Sequence, residues 1–424
     1  MNSQAVLAVI IFGAVYLAIT TDLVNKTAAA ILGGMLMIIF GIVSQTKAFS
    51  YVDWGVIFLL IGMMVITGIT KRTGLFQYLA IKVAKLARGE PMAIMILLSL
   101  VTAITSAFLD NVTTVLIIVP ITFLIAVELG VNPTPFVIAL AIASNIGGTA
   151  TLIGDPPNIM IGSASGFSFM DFLLNLSPVV IVILIAFSGF ITLVFRKKLK
   201  VSNERKARIM DFDESKAITD KVLLWKSLLV LGLVIVAFLL HGALGLEPAT
   251  VALSGAALLL IISGYKEVET IFAEIEWTTV LFFLGLFMIV GALVDIGVMG
   301  LLSKSLLSAT SGHLRVTTFA ILWGSGILSA FVDNIPFVAT MIPLIKDMSQ
   351  SLGASAVEPL WWALSLGACL GGNGTLIGAS ANVISAGISA KNGHPISFMQ
   401  FFKYGSIFMI ISLIISSVYL LIRW

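Results

Sequence analysis

Apolar stretches of similar length alternate with short polar segments along the whole chain. Residues 5–20, 28–43 and 406–422 are typical of them, and each comes close to the roughly 20 apolar residues that cross a bilayer as a helix. Residues 5–20 have no basic leader and no small-residue cleavage site, so we interpret them as a retained span and not as a signal peptide. The pattern predicts an all-α integral membrane protein.

Composition supports this class. Hydrophobic residues make up 59% of the chain and charged residues 11%, whereas a soluble domain contains about 25% charged residues. The single cysteine, Cys369, excludes an intrachain disulfide framework and a multi-cysteine metal site.

The chain contains an internal repeat. The segment WGVIFLLIGMMVITGITKRTG, from Trp54, aligns with WTTVLFFLGLFMIVGALVDIG, from Trp277, at an offset of 223 residues. SAFLDNVTTVLIIVP and SAFVDNIPFVATMIP align at the same offset, and GGTATLIGDPPN aligns with GGNGTLIGASAN at an offset of 224. Two copies of one unit therefore make up the chain, at residues 1–195 and 223–424.

Each copy is predicted to contain three spanning helices, an amphipathic stretch, a helical hairpin around an Asp-Asn pair, a helix broken at the glycine motif and a closing helix. A hairpin that enters and leaves on one side gives five crossings per copy, and an odd number inverts the second copy. We therefore predict an inverted-repeat fold with ten spanning helices, two opposed re-entrant hairpins and two broken helices. The predicted parts are scaffold helices 1–89, transport elements 90–166 and closing helix 167–195 in the first copy, and scaffold helices 223–312, transport elements 313–391 and closing helix 392–424 in the second.

The linker between the copies, residues 196–222, is the only long hydrophilic segment and holds nine of the 24 Lys and Arg residues. Basic loops remain on the cytoplasmic side, so we predict a cytoplasmic linker, both termini outside, and a location in the plasma (inner) membrane of a prokaryote. The basic amphipathic stretch 71–89 is expected to lie along the anionic inner leaflet of the lipid bilayer.

The stretch SNIGGTATLIGDPPN, residues 144–158, places glycines, prolines and polar residues inside an apolar region. Non-helical backbone persists at membrane depth only where it is buried in protein or lines a wet cavity, and paired broken helices in inverted repeats mark the binding site of secondary transporters. The candidate solute-binding and ion-binding residues are Asp110, Asn111, Thr113, Asn145, Gly147, Gly148, Thr149, Thr151, Asp155 and Asn158 in the first copy, and Asp333, Asn334, Gly371, Gly372, Asn373, Thr375 and Asn382 in the second.

Buried carboxylates are the most informative members of this set. A carboxylate at membrane depth is costly, so Asp110 and Asp333 are expected to be protonated, paired or bound to a cation. Two acids near one pocket disfavour a dianion and favour H⁺ or Na⁺ as coupling ion. The alternative for both residues is a helix cap at the hairpin tip, and Asp155, which has no counterpart in the second copy, could also be a cap.

The cysteine, the histidines and the second glycine-rich segment do not indicate an enzyme. Cys369 is a candidate soft ligand, with small-residue helix packing as the alternative. His241, His313 and His394 are far apart, which disfavours a metal site, and GGNGTLIGAS lacks the lysine of a phosphate-binding loop. We predict no enzymatic activity, no cofactor and no nucleic-acid partner, and transport driven by an ion gradient or by a separate cytoplasmic ATPase subunit.

The broken-helix motif and the hairpins FLDNVTT and FVDNIPF resemble the ion transporter superfamily, in the branch of arsenical-pump membrane proteins, sodium/proton antiporters and the melanosomal P protein. The resemblance implies a homodimer in which scaffold helices hold a transport domain that moves as an elevator. Related dicarboxylate carriers have a Ser-Asn-Thr triplet at both hairpin tips, where this chain has DNV and DNI, which weakens a dicarboxylate function.

The preferred hypothesis is a proton-coupled exporter of arsenite or antimonite, because trivalent arsenic is a neutral triol that hydroxyls, amides and carboxyls can bind. A sodium/proton antiporter is the alternative. An anion or citrate transporter is third, since neither broken-helix motif contains Arg or Lys to meet a carboxylate.

Overall fold

The structure, a computed structural model, describes residues 3–21, 24–197, 199–264 and 268–424, and within these ranges it contains 21 α-helices, one short 3-10 helix and no β-strand. The first copy comprises α1 (Ser3–Thr21), α2 (Lys26–Ile39), α3 (Gln45–Ser50), α4 (Trp54–Lys71), α5 (Leu75–Leu86), α6 (Pro91–Phe108), α7 (Asn111–Leu129), α8 (Thr134–Gly148), α9 (Pro156–Ser165) and α10 (Phe169–Phe195). The linker forms α11 (Asn203–Met210) and the 3-10 helix Glu214–Ala217. The second copy comprises α12 (Lys221–Leu244), α13 (Pro248–Ser263), α14 (Val268–Phe272), α15 (Trp277–Asp295), α16 (Val298–Ala309), α17 (Leu314–Phe331), α18 (Asn334–Leu352), α19 (Glu358–Gly371), α20 (Ser380–Lys391) and α21 (Phe398–Arg423).

The helices α12 to α21 repeat the order of α1 to α10, and equivalent helices begin at equivalent residues. α4 follows Asp53, whose carboxylate accepts a hydrogen bond from the amide of Val56 at 3.0 Å, and its counterpart α15 follows another acid, Glu276, whose side chain makes no capping hydrogen bond. Gly74 and Gly297 precede α5 and α16 with φ of +80° and +78°, a conformation that favours glycine. The same backbone signals therefore shape both copies.

Nine helices in the described part of the chain are long and apolar enough to cross a bilayer, namely α1, α4, α6, α7, α10, α12, α15, α17 and α21. This confirms the predicted all-helical, multi-pass membrane protein. The shorter apolar helices include α2, α8, α13 and α16. The predicted ten crossings, the re-entrant hairpins and the division into scaffold and transport parts stay predictions.

Close helix packing joins the two copies along α2 with α15 and along α4 with α13. A Cβ at Gly62 would lie 2.7 Å from the carbonyl carbon of Ala252, and a Cβ at Gly285 would overlap the backbone of Ala30. Small residues allow helix backbones to approach this closely in membranes. The helices α2 and α4 of the first copy therefore pack closely against α15 and α13 of the second copy.

The hairpins and broken helices form a second group. α6 packs on α8, and α17 packs on α19, within each copy. α7 also packs on α20, and α18 on α9, so the hairpin of each copy contacts the broken helix of the other. The two breaks and the two hairpin tips consequently meet in one region.

The linker is anchored to the first copy. Lys85 Nζ lies 2.6 Å from Glu214 Oε2, and this hydrogen bond lowers the pKa of the Glu214 carboxyl. Lys206 forms an ion pair with Glu90. The linker thus covers part of α5, the amphipathic helix that was expected to lie on the inner leaflet.

Candidate functional site

The first helix break separates α8 from α9 and comprises residues 149–155. The α8 helix ends after Gly148, and prolines occupy the first two positions of α9, where a missing N–H costs no helical hydrogen bond. Asn158 closes this break, because its Nδ2 donates to the carbonyl oxygens of Thr149 at 3.1 Å and Thr151 at 2.9 Å. Carbonyl oxygens that have no helical hydrogen-bond partner at the break thus accept hydrogen bonds from a side chain.

The second break, residues 372–379 between α19 and α20, is closed in the same way. The Nδ2 atom of Asn382 donates to the carbonyl oxygens of Gly372 at 2.8 Å and Thr375 at 3.0 Å. This break has no proline, so it depends on this amide and on the glycines around it. Asn158 and Asn382 thus occupy equivalent structural positions.

Hydroxyl groups attach each break to the hairpin of its own copy. Ser106 Oγ donates to the carbonyl oxygen of Ser144 at 2.6 Å, and Ser329 Oγ donates to that of Ala368 at 2.7 Å. The predicted site residues Thr149, Thr151 and Thr375 are buried, but their hydroxyls donate to backbone carbonyl oxygens. Their donors therefore hold the backbone and are not free for a solute.

The amide of Asn145 connects the two breaks. Its Oδ1 accepts a hydrogen bond from Asn111 Nδ2 at 3.0 Å. Its Nδ2 donates to Asn373 Oδ1 and to Asn382 Oδ1, each at 3.0 Å. All four asparagines are 3% exposed or less, so this network lies inside the protein at the junction of the two copies.

One member of the network has an unused donor. In the described ranges, the Nδ2 atom of Asn373 is buried and has no hydrogen-bond partner in the protein. A buried N–H group without a partner is uncommon and calls for a physical explanation. An oxygen-bearing ligand would satisfy it.

Three predicted carboxylates surround this region. Asp155 is 1% exposed, and Asn334 Nδ2 lies 3.4 and 3.5 Å from its two carboxylate oxygens. Asp155 stands at the N-cap of α9, but its side chain makes no capping hydrogen bond. The charges of Asp110 and Asp333 both act on the Asp155 carboxylate.

Asp110 and Asp333 cap the second helices of their hairpins. Asp110 Oδ1 accepts a hydrogen bond from the amide of Thr113 at 2.7 Å, and Asp333 Oδ1 accepts one from the amide of Ile335 at 3.3 Å. Thr113 contributes this backbone amide. Both acids therefore act as helix caps through Oδ1. The second carboxylate oxygen of each acid does not take part in the cap and can contact other groups.

Sequence reasoning missed two charged residues of the site. Lys26, the first residue of α2, places Nζ 2.9 Å from Asp333 Oδ2 and 3.1 Å from Ser380 Oγ. Glu276, before α15, accepts a hydrogen bond from Thr279 Oγ1 at 3.1 Å, and it is close enough to Asp110 and Lys26 for their charges to act on its carboxyl group. Both residues lie at ends of spans, where a charged residue is usually interpreted as an anchor at the membrane interface. A lone lysine that starts an apolar helix was the available signal.

Cys369 is fully buried at the position equivalent to Asn145. Its Sγ lies 3.6 Å from Asn158 Oδ1, which also accepts a hydrogen bond from Ser365 Oγ at 2.6 Å. The thiol thus touches the polar network. Among the described residues, no group of three or more His, Cys, Asp and Glu residues is arranged to hold a metal ion.

Two cavities approach this region from the side of Asp53, which lines both. One, of about 530 Å³, is also lined by Ser163, His241 and Glu247. The other, of about 430 Å³, lies between α15 and α18 and is also lined by Lys346. None of the four asparagines of the network lines either cavity.

Comparison with known proteins identifies relatives over the whole chain. A family model described as citrate transporter (CitMHS) matches residues 14–367. The chain is 45% identical over 426 residues to the uncharacterized transporter Mb2703 of Mycobacterium bovis, with 99% of each protein covered. It is 33% identical over 505 residues to the human P protein, and that alignment covers 100% of this chain and 60% of P protein.

A solved structure shares the fold. The YdaH transporter of Alcanivorax borkumensis aligns with a TM-score of 0.58 over 91% of this chain and 88% of that one, at 17% identity. The predicted resemblance to P protein is confirmed, whereas the arsenical-pump and sodium/proton antiporter branches stay predictions. Because the family model matches most of the chain and the mycobacterial relative, which bears the name of a transporter, aligns over its full length, this chain belongs to the citrate transporter family of membrane transporters.

Proposed function

We propose that the chain is a secondary transporter that couples proton movement to the export of a neutral, oxygen-rich solute, with arsenite or antimonite as the preferred cargo. The observation that carries the proposal is the buried, unpartnered donor of Asn373 beside an excess of carboxylates. That donor needs an oxygen acceptor, while the surrounding charge repels an anionic one.

The ionisable side chains of the site leave an excess of negative charge. Asp110, Asp155 and Asp333 carry three negative charges when ionised, and Lys26 carries one positive charge, which leaves a net charge of −2 before Glu276 is counted. A buried charge excess of this kind is costly, so protons or bound cations are expected to reduce it. Proton uptake by these acids would couple the site to a proton gradient.

The uncharged triol of trivalent arsenic or antimony suits the remaining groups. Each hydroxyl both donates and accepts, so it can satisfy Asn373 Nδ2 and also donate to a carboxylate or an amide oxygen. A bare sodium ion offers no acceptor for the Asn373 donor. Sodium/proton antiport therefore ranks second, although carboxylate and carbonyl oxygens are suitable ligands for a hard cation.

Citrate or another carboxylate is the third candidate, and two observations favour it. The family model bears the description of a citrate transporter, and Lys26 supplies a cation that neither broken-helix motif contains. However, this ammonium is already paired with Asp333, so a carboxylate would have to compete with an internal one.

The decisive experiment measures flux in proteoliposomes that contain the full chain. Uptake of arsenite, antimonite, radioactive sodium and citrate is followed with an imposed pH gradient and after its collapse by an ionophore. We expect gradient-dependent flux of arsenite or antimonite, and loss of coupling in D110N, D155N and D333N. The matched control is D295N, because Asp295 pairs with Lys47 away from the site.

Gradient-dependent flux of sodium alone would replace the proposed cargo by the second candidate, and flux of citrate alone would replace it by the third. Flux that persists unchanged after collapse of the gradient, or in all three site variants, would overturn proton coupling at these acids.

The resemblance also supports a broader proposal about assembly. We propose a plasma-membrane homodimer in which the hairpins and broken helices move against the closely packed helices α2, α4, α13 and α15, with a cytoplasmic ATPase subunit as an optional partner at the linker. Native mass spectrometry of the purified protein tests the dimer, and a monomer at all detergent concentrations would contradict it.

A further inference from the structure

Lys26 connects two parts of the structure that the sequence assigns to different functions. It belongs to α2, which packs along α15. Its partner Asp333 lies at the tip of the second hairpin, and Ser380 begins the second half of the second broken helix. One ammonium group therefore joins the predicted scaffold to both the hairpin and the break of the second copy.

The contacts form a closed triangle on one oxygen atom. Lys26 Nζ lies 2.9 Å from Asp333 Oδ2, Ser380 Oγ lies 3.1 Å from the same oxygen, and Nζ lies 3.1 Å from Ser380 Oγ. The Asp333 side chain is only 11% exposed, and that of Lys26 is 36% exposed. Asp333 Oδ1 is engaged by the amide of Ile335. A second cation therefore has no free oxygen of Asp333 to bind while Lys26 stays in place.

The arrangement has no equivalent at the first hairpin. In α13, the counterpart of α2, the position equivalent to Lys26 is Ala249, which carries no charge. The charge of Asp110, the tip acid of the first hairpin, acts on another acid, Glu276. The lysine is thus a feature of one copy only, and it acts on one of the two tip carboxylates.

The scaffold supplies other partners to the ammonium group where it lies. Lys26 Nζ is 5.6 Å from the ring centroid of Phe282 on α15, within the range of a cation–π contact, and it is close enough to Glu276 for the two charges to interact when Glu276 is ionised. When Asp333 is neutralised, Lys26 keeps favourable partners on the scaffold. Breaking the pair therefore does not leave the ammonium group without a partner.

We propose that Lys26 is a tethered cation that competes with the coupling cation for Asp333, so that loading of Asp333 by H⁺ or Na⁺ releases the second hairpin from the scaffold. This inference rests on the proposed cation coupling. In the empty protein the ion pair holds the hairpin against α2. In the loaded protein Lys26 keeps Phe282 and Glu276 as partners on the scaffold, while Asp110, Asp155 and Glu276 remain as the other titratable groups facing the site. Lys26 is then a positioning residue that sets the apparent affinity for the coupling cation.

The test compares K26Q with wild type in the proteoliposome assay. Solute flux is measured as a function of external pH and, separately, of sodium concentration, with the solute that wild type transports. Without its competitor, Asp333 is expected to bind the coupling cation more tightly. Half-maximal flux should therefore occur at about tenfold lower cation concentration, which is about one pH unit higher for protons.

Three further variants complete the design. K26R keeps the charge and is expected to behave as wild type, while K26M keeps the apolar stem and replaces K26Q if that variant is not recovered as folded protein. K47Q is the matched control, because Lys47 pairs with Asp295 within the scaffold, between α3 and α15, and should leave the half-maximal concentration unchanged.

Half-maximal concentrations in K26Q and K26M that equal those of wild type would overturn the competition, as would a shift in K47Q of the same size. Both results leave cation-dependent flux of the wild type intact, so they reject Lys26 and not the proposed function. Wild-type flux that does not depend on H⁺ or Na⁺ would reject both.

Discussion

Replacing Asn145 by alanine is expected to weaken the protein at the point where its two copies meet. Asn145 makes side-chain hydrogen bonds with Asn111, Asn373 and Asn382, all at 3.0 Å and all buried. The substitution leaves the backbone of α8 unchanged and removes all three. No other single side chain of the candidate site holds both breaks and a hairpin tip together.

The size of the effect follows from these three bonds. A buried group that loses its hydrogen-bond partner costs about 1–3 kcal/mol. N145A leaves three such groups, on Asn111, Asn373 and Asn382, so it is expected to lose at least about 3 kcal/mol of unfolding free energy. The isosteric variant N145D should be at least as damaging, because its carboxylate turns a double donor into an acceptor that faces Asn382 Oδ1. That oxygen cannot rotate away easily, since Asn382 Nδ2 is fixed by two carbonyl oxygens.

The assay is thermal unfolding of purified, detergent-solubilised protein, followed by flux in proteoliposomes. We expect N145A to unfold at least about 5 °C below wild type and to transport at least about tenfold more slowly, which corresponds to about 1.4 kcal/mol. The matched control is N392A, because Asn392 is exposed at the end of α20 and its amide makes one hydrogen bond, to the carbonyl oxygen of Ile388. Unfolding temperatures and fluxes of N145A that equal those of N392A would refute the role assigned to the asparagine network.

Two further changes test the packing and the thiol of the same region. G371A should destabilise the protein by about 3 kcal/mol, because a Cβ there would lie 2.5 Å from the carbonyl oxygen of Gly326. Thermal unfolding measures the loss. The control is G387A, which should be neutral or stabilising because a Cβ at Gly387 meets no atom within 4 Å. C369S keeps a donor to Asn158, so arsenite flux should fall by less than about threefold. A loss of arsenite flux greater than about tenfold with unchanged sodium flux would instead make the thiol a ligand.

Much of the architecture was predictable because it depends on local signals. The apolar period predicts the helices, and the internal repeat predicts that they recur in one order. The first break follows from Gly147, Gly148 and the two prolines that open α9. Each of these features depends on residues that are close together in the chain. They can therefore be predicted from the sequence alone.

Contacts between distant segments were not predictable in the same way. Lys26 and Asp333 are 307 positions apart, and nothing near Lys26 in the chain indicates a partner on the second hairpin. The opposite error is a predicted ligand whose donor is already used. Thr151 and Thr375 were predicted to bind a solute, but their hydroxyls donate to backbone carbonyl oxygens of the neighbouring hairpins. A residue type predicts what a side chain can bind, and only the tertiary structure decides whether a partner already occupies it.

The two copies share their backbone but not their site chemistry, and the reason is geometric. Both breaks need a closing amide, and both have one, in Asn158 and Asn382. The side chains that face the other copy are under no such constraint, because the two breaks contribute to one region and not to two. Asn145 in one copy is therefore matched by Cys369 in the other. If a single solute binds between the copies, each copy needs to supply only half of its partners, and duplication of the fold does not require duplication of the ligands.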